Sequence, residues 1–283
     1  MNKDKLKGII SKKAKGNNNL AAQLYQMYFF EHILERLAKS EYKHNIILKG
    51  GLLLSSILGD DERTTKDMDA TLKSLPLEKE NVEKIINDIL KVKINDDITY
   101  KIVDIKDIRQ ESEYGGFKIN ILATMSTLKV YIAIELTTGD KITPREIEYN
   151  YNCVFEDKKI PILAYTLETV IAEKYQTIID RDIYNTRMKD FYDIYVLIQE
   201  NKEKIDFKNL VLAIKNTCKD RNTVINIDDI IEQLENMKTN ETLIKLWRNY
   251  QQTSPYSSGI LFEDLFSSLE YITRILSEQI IAV

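Results

Sequence analysis

The sequence predicts an α+β fold: an N-terminal lobe, residues 1–165, built on a mixed or antiparallel sheet flanked by helices, followed by a helical bundle lobe, residues 166–283. Three observations carry this expectation. Short strand-like runs with alternating apolar residues recur before residue 140, notably at 67–72 and 128–136. A glycine pair, Gly50-Gly51, separates a short apolar strand from an apolar helix. Beyond Pro161 the character changes, and from Thr166 onward almost every stretch spaces its apolar residues as a helix does.

Taken in order, Leu20, Leu24, Met27, Tyr28 and Ile33 to Leu37 predict an amphipathic helix running to about Lys39. Asn45 to Leu48 reads as a short buried strand, and Leu52 to Leu58 as the first turns of a helix launched from the glycine turn. On the next strand Asp67, Asp69 and Thr71 share one face, with Met68, Ala70 and Leu72 on the other. A helix follows at Glu80 to Leu90, then three strands at 98–108, 117–125 and 128–136 that predict an antiparallel meander. In the last of these, Val130, Ile132, Ile134 and Leu136 face the core, while Lys129, Tyr131, Ala133 and Glu135 share the opposite face. Helices are expected at about 167–179, 187–199, 207–219, 227–237, 241–250 and 261–280.

Composition narrows the class of function. Charged residues make up 30% and apolar ones 43%, the balance of a globular chain and not of a disordered or membrane one. The longest apolar stretch, Ile46 to Leu58, is broken by Lys49 and the glycine pair and is too short to cross a bilayer. The opening MNKDKLKGIISKKAK lacks the apolar core of a secretory signal, so a cytoplasmic location without membrane contact is expected. Its lysines read as a solvated, frayed tail. Cys153 and Cys218 have no partners at zinc-ligand spacing, and His32 and His44 read as ordinary polar residues. With a net charge of −4, any polyanion must be met by a local basic surface, for which Lys174, Arg181, Arg187 and Lys189 are candidates.

The chemistry concentrates in KGGLLLSSILGDDERTTKDMDATL, residues 49–72. Glycines let a backbone approach phosphates closely, a helix N-terminus presents unpaired N–H groups and partial positive charge, and Ser55 or Ser56 can add a hydroxyl. Asp67 and Asp69, two residues apart on a strand, share a face and can hold Mg²⁺ or Mn²⁺ around a nucleoside triphosphate. Glu135, on the exposed face of a later strand, is the third carboxylate of the expected metal site. Arg63, Thr65 and Lys66, just before the acidic pair, are candidate nucleotide contacts.

With these residues in place the segment resembles the nucleotidyltransferase superfamily, and within it the AbiEii type, the toxins of type IV toxin–antitoxin and abortive-infection systems. That family pattern, KGG, a short helix, then RxTxDxD, reads here as Lys49-Gly50-Gly51 followed by Arg63-Thr64-Thr65-Lys66-Asp67-Met68-Asp69. Its second signature, a lysine followed by RxKDxxD and an aliphatic helix, matches Lys174 and Arg187-Met188-Lys189-Asp190-Phe191-Tyr192-Asp193. The chain departs from relatives where Glu135 replaces the usual aspartate ahead of Gly139-Asp140, where Leu52 follows the glycines in place of serine, and where Ile179 stands for a threonine.

The second signature has a physical reading of its own. Phe191, Ile194, Tyr195 and Ile198 form a core-facing stripe. Arg187 with Asp190 and Lys189 with Asp193 have ion-pair spacing, though lysine N-terminal to its acid is the weaker orientation, which favours a catalytic role for Lys189. Lys174 falls on an apolar stripe, where an ammonium needs a phosphate or carboxylate partner.

The resemblance implies a nucleotidyltransferase-like fold and transfer of a nucleoside monophosphate from an NTP, GTP or CTP, with Asp67, Asp69, Glu135 and Lys189 as catalytic residues. Lys174, Arg187 and Asp190 join the nucleotide contacts. It further implies tRNA as acceptor, a growth-blocking role in defence against phage, and a cognate AbiEi-like antitoxin that need not bind the toxin directly. Two other readings stay open: transfer to a protein or small molecule, and a non-catalytic nucleotide-binding module, which three converging carboxylates argue against.

Overall fold

A computed structural model of the chain describes residues 1–59, 63–108 and 115–281; positions 60–62 of the motif segment lie outside the described residues. The chain divides into two compact units, Met1–Asp140 with Glu146–Tyr165, and Lys141–Arg145 with Thr166–Val283.

The first unit contains helices α1 (Lys3–Ala14), α2 (Asn18–Lys39), α3 (Gly50–Leu58) and α4 (Lys79–Lys91), and strands β1 (Ile46–Lys49), β2 (Asp67–Leu72), β3 (Ile98–Ile108), β4 (Gly116–Met125), β5 (Leu128–Thr137), β6 (Ile147–Asn152) and β7 (Lys159–Ala164). The strands form one mixed sheet of seven in the order β3-β4-β5-β2-β1-β7-β6. β2 runs parallel to β5 and β1 parallel to β7, while the remaining neighbours are antiparallel. The expected α+β class and the β3-β4-β5 meander are both present.

Two features escape the sequence reading. The lysine-rich N-terminus is a helix, because Leu6, Ile10 and Ala14, four residues apart, make a narrow buried stripe beneath the charges. The side chain of Asn2 caps it by accepting from Lys5 N. Strands β6 and β7 were also missed: β6 is polar and only Tyr151 is fully buried, and Pro161 disguises β7. The proline is tolerated because β7 pairs with β1 only at Leu163 and Ala164.

One face of the sheet is apolar. Ile46, Met68, Ile134 and Leu136 meet Ile33 and Leu37 of α2 and Ile86 and Ile89 of α4. At the edge of this core lies a buried polar cluster. Arg36 donates two hydrogen bonds to Asp96, at 2.8 and 2.7 Å, and each side chain is only 4% exposed. His32, expected to be an ordinary polar residue, is buried beside them with Nδ1 3.0 Å from the Tyr28 carbonyl, and burial lowers its pKa.

The second unit is helical: α5 (Leu167–Arg181), α6 (Met188–Glu200), α7 (Phe207–Asp220), α8 (Ile227–Lys238), α9 (Glu241–Thr253) and α10 (Phe262–Ile281). Side chains of Thr166, Asp206, Asn226 and Asn240 accept backbone N–H groups at the starts of α5, α7, α8 and α9. Phe191 of α6 packs on Phe266 of α10 with ring centres 6.1 Å apart, and Tyr175 of α5 hydrogen-bonds Thr273 of α10 at 2.7 Å. No described helix is long and apolar enough to cross a membrane.

The Arg36–Asp96 pair generates a prediction. Removing one member of a buried, bidentate pair strands the other charge, so Arg36→Met is expected to destabilise the first unit by about 3–5 kcal/mol. The measurement is the urea midpoint; a midpoint unchanged from wild type would contradict it.

Candidate active site

The site begins where β1 ends. Gly50 adopts φ +66°, and a Cβ built on it would stand 2.1 Å from Asp69 Oδ2. A Cβ on Gly51 would stand 2.5 Å from Thr65 Oγ1. The two glycines are therefore required by close approach as much as by the turn: backbone at the start of α3 lies directly against the acidic strand.

Strand register assembles the rest. Asp69 of β2 is paired with Glu135 of β5 and, on its other side, with Lys49 of β1; Glu135 is paired in turn with Lys118 of β4. Paired residues share a face, so Lys118, Glu135, Asp69 and Lys49 form one row across four strands, with Asp67 two residues along β2 on the same side. Asp67, Asp69 and Glu135 thus share one face of neighbouring strands, and all three are partly exposed.

Lys118 is a participant that the sequence reading missed. Its Nζ lies 2.9 Å from Glu135 Oε1 and 3.4 Å from Asp67 Oδ1. The signal available was period two: Lys118 falls on the polar face of a strand whose other face is Phe117, Ile119 and Ile121, but its partner follows only from the β4–β5 register. Burial raises the Asp67 pKa, Lys118 lowers it, and Glu135 and Asp69 raise it again. The Lys118 pKa is raised, chiefly by its hydrogen bond to Glu135. This carboxylate face accordingly calls for positive charge.

For a divalent cation, the donor set fits in kind: three carboxylates on one face are hard oxygen ligands, and the single charge of the Lys118 ammonium, in contact with two of them, offsets only part of their charge. As their side chains stand, however, no three His, Cys, Asp or Glu residues among the described ones are placed to hold a metal ion together. Asp67, Asp69 and Glu135 would hold the ion only with rotation of their side chains and withdrawal of Lys118.

Further along the same face, beyond Asp69 and Glu135, lies a buried polar cluster. Lys49 Nζ donates to Asp140 Oδ2 at 2.6 Å and to Thr137 Oγ1 at 2.8 Å, and the lysine is 4% exposed. Asp140 also accepts from the Thr71 hydroxyl and, at 2.9 Å, from Thr137. Thr71 is hydrogen-bonded to Tyr165 at 2.9 Å, and Lys49 lies over the Tyr165 ring. Burial pushes the Asp140 carboxyl up, but Lys49 and the hydroxyls of Thr71 and Thr137 outweigh it and hold the pKa at about 2. The lysine of the KGG motif is therefore an internal ion-pair partner.

Other expected contacts fall differently. Ser55 is fully buried and donates to the Gly51 carbonyl at 2.9 Å, the back-bond a helical serine makes to the residue four before it, and not toward a phosphate. Ser56 is joined to Tyr149 and accepts from Asn152 N, holding β6 to α3. Arg63, read as a loop charge and nucleotide contact, is 3% exposed and donates to the Thr64 carbonyl. Thr65 donates to the Asp67 carbonyl at 3.1 Å, whereas Lys66 is exposed.

In the second unit, Lys174 has the carboxylate partners its position demanded, Asp190 and Asp193, each at 2.7 Å. Arg187 Nε lies 3.2 Å from the other Asp190 oxygen. Asp190, expected to touch nucleotide, is 3% exposed with both oxygens engaged, so it acts inside the unit, whereas Arg187 and Lys189 are exposed.

A carboxylate-bearing sheet face with a glycine turn packed against it is an arrangement compatible with phosphoryl or nucleotidyl transfer, and the class itself comes from the sequence. Residues 32–267 match the family described as nucleotidyl transferase AbiEii toxin, type IV toxin–antitoxin system. The chain belongs to that family. No curated protein sequence matches it. Among solved structures it is similar to a candidate nucleotidyltransferase from H. pylori (16% identity, 91% of this chain and 97% of that one, TM-score 0.48). JHP933 from Helicobacter pylori is comparably similar (18% identity, 92% and 95%, TM-score 0.47). The family assignment rests on the sequence match alone.

Two predictions follow from this geometry. Gly50→Ala is expected to cost about 1–3 kcal/mol from the left-handed backbone and to push Asp69 aside, read as a lower melting temperature together with loss of any cation-induced stabilisation. For Asp140, whose folded pKa lies below its ordinary value of 3.8, the stabilisation is full above pH 4 and disappears as pH falls through about 2. It amounts to about 2 kcal/mol. The stability of Asp140→Asn, lower at neutral pH, should therefore fall less steeply than wild type between pH 4 and 2 in acid-titrated urea melts; parallel curves would refute this.

Proposed function

We propose that the chain transfers a nucleoside monophosphate from an NTP, GTP or CTP, to the 3′ end of tRNA, and so acts as a growth-blocking toxin beside a cognate antitoxin. The observation that carries the reading is the juxtaposition of Asp67, Asp69 and Glu135 on one sheet face with the Gly50–Gly51 backbone packed against Asp69. Family membership supports the nucleotidyl transfer.

In this reading the acceptor hydroxyl oxygen bonds to the α-phosphorus as the bond to the β-phosphate breaks; pyrophosphate leaves and the hydroxyl proton passes to water. Asp67, Asp69 and Glu135 would hold Mg²⁺ or Mn²⁺, which when bound supplies charge neutralisation and Lewis acidity. The start of α3 offers backbone N–H groups to the triphosphate, which needs no side chain at Gly50 or Gly51 and no hydroxyl from Ser55. Lys66 in the first unit, and Lys189 and Arg187 in the second, are the exposed cations of the two motifs and the candidates for phosphate contact. Lys49, Lys174 and Asp190 act by positioning.

Purified protein incubated with Mg²⁺, total tRNA and each α-labelled NTP in turn should label RNA on a gel. Asp69→Ala should lower incorporation at least about 100-fold. Label that persists in the variant would sink the assignment of the site, and a folded, magnesium-replete wild type that labels no RNA would overturn the tRNA acceptor.

A further inference from the structure

The sheet face that carries the carboxylates continues past them, away from β1, across β5, β4 and β3. Register puts Ala133 beside Asn120, Tyr131 beside Leu122 and Leu122 beside Lys101, all on the side of Glu135 and Lys118. An antiparallel sheet can leave one face in water, and threonine and lysine are ordinary there. Two residues are not: Tyr131 is 67% exposed and Val103, at the irregularity of β3, is 51% exposed. Beside the tyrosine stand the exposed Lys101, across β4 in the same row, and Lys129, two residues along β5; Lys106 lies further along, in the row of Lys118 and Glu135, and is paired with Asp104 at 3.4 Å. In a chain of net charge −4 this is a local concentration of cations flanking an aromatic ring.

We infer that the β3-β4-β5 face is the track on which a single-stranded polynucleotide lies, with a base stacked on Tyr131, its phosphates near Lys101 and Lys129, and its 3′ end directed along β5 to Glu135. The inference rests on nucleotidyl transfer as the reaction of the carboxylate face. Distance agrees with it: Tyr131 and Glu135 are four residues apart on one strand, about 13 Å, the reach of a few nucleotides. Charge agrees too, since phosphates are drawn to the lysines and repelled by Asp67, Asp69 and Glu135, so the backbone is held beside the carboxylates and only its end approaches them. An exposed aromatic on an open sheet offers a stacking platform for any base, and a duplex, whose bases are already stacked on one another, cannot use it.

The test is fluorescence anisotropy of a 5′-labelled ten-nucleotide single-stranded RNA with the full chain, without NTP, across a salt series. Tyr131→Ala should weaken binding about 5- to 100-fold, with Tyr131→Phe close to wild type and melting temperatures unchanged, since the ring is exposed. Lys101→Ala with Lys129→Ala should lower the slope of log affinity against log salt by roughly 1–1.5. Equal binding by Tyr131→Ala and wild type, no binding by wild type, equal affinity for a blunt duplex, or equal competition by an acidic peptide would each overturn the track. The transfer assay separates the two readings. RNA labelling whose KM for RNA ignores Tyr131 removes the track and leaves the activity, whereas Tyr131-dependent binding without transfer to any acceptor leaves the track and removes the activity.

Discussion

The first unit depends on the buried ion pair between Lys49 and Asp140. Lys49 is the last residue of β1 and immediately precedes the glycine turn, while Asp140 follows β5. Their contact, with the hydroxyls of Thr71 on β2 and Thr137 on β5, ties three central strands together at the point where α3 departs. An ion pair so enclosed is a poor source of net stability compared with apolar packing, but it is intolerant of misalignment, because a displaced partner leaves a bare charge in the interior. Its value lies in fixing where Gly50 meets Asp69.

The division of the sheet into two faces follows from the same register. One face is closed by α2 and α4 over Met68, Ile134 and Leu136. The other carries carboxylates that repel one another, and desolvation adds to that repulsion, as the raised Asp67 pKa records. Lys118 relieves it in the free protein by touching Asp67 and Glu135. An ammonium and a divalent cation answer the same electrostatic demand, so the lysine marks where positive charge belongs. As a compact point charge on a flexible stem, it can also move away when a stronger cation takes its place.

Much of this was legible in the sequence, and what was not is informative. Alternation alone placed Asp67 and Asp69 on one face of β2 and Glu135 on the exposed face of β5, because period two is a local property of a strand. The helices of the second unit were legible for the same reason, through their apolar stripes; the caps Asp206, Asn226 and Asn240 that fix where three of them begin come from the structure. Pairings between distant segments were not. Nothing local joins Lys49 to Asp140 or Lys118 to Glu135, and the polar edge strand β6 has too few buried residues to declare itself. Lys174 is the intermediate case: its place on an apolar stripe demanded an acidic partner, and only the packing of α5 on α6 identifies Asp190 and Asp193.

The motif residues thereby sort by what their surroundings permit. Lys49, Ser55, Arg63, Lys174 and Asp190 all lie in signature segments, yet each is buried or nearly so and engaged within its own unit. A signature pattern records the residues a site cannot lose, and a residue that aims another is as hard to lose as one that touches substrate. Exposure separates the two kinds: Asp67, Asp69, Glu135, Lys66, Arg187 and Lys189 retain access to solvent, and a substrate phosphate can reach only side chains of that sort. The acidic average of the chain is then no obstacle to a polyanionic partner, since attraction over a Debye length of about 8 Å is decided by the patch the partner meets and not by the charge of the whole.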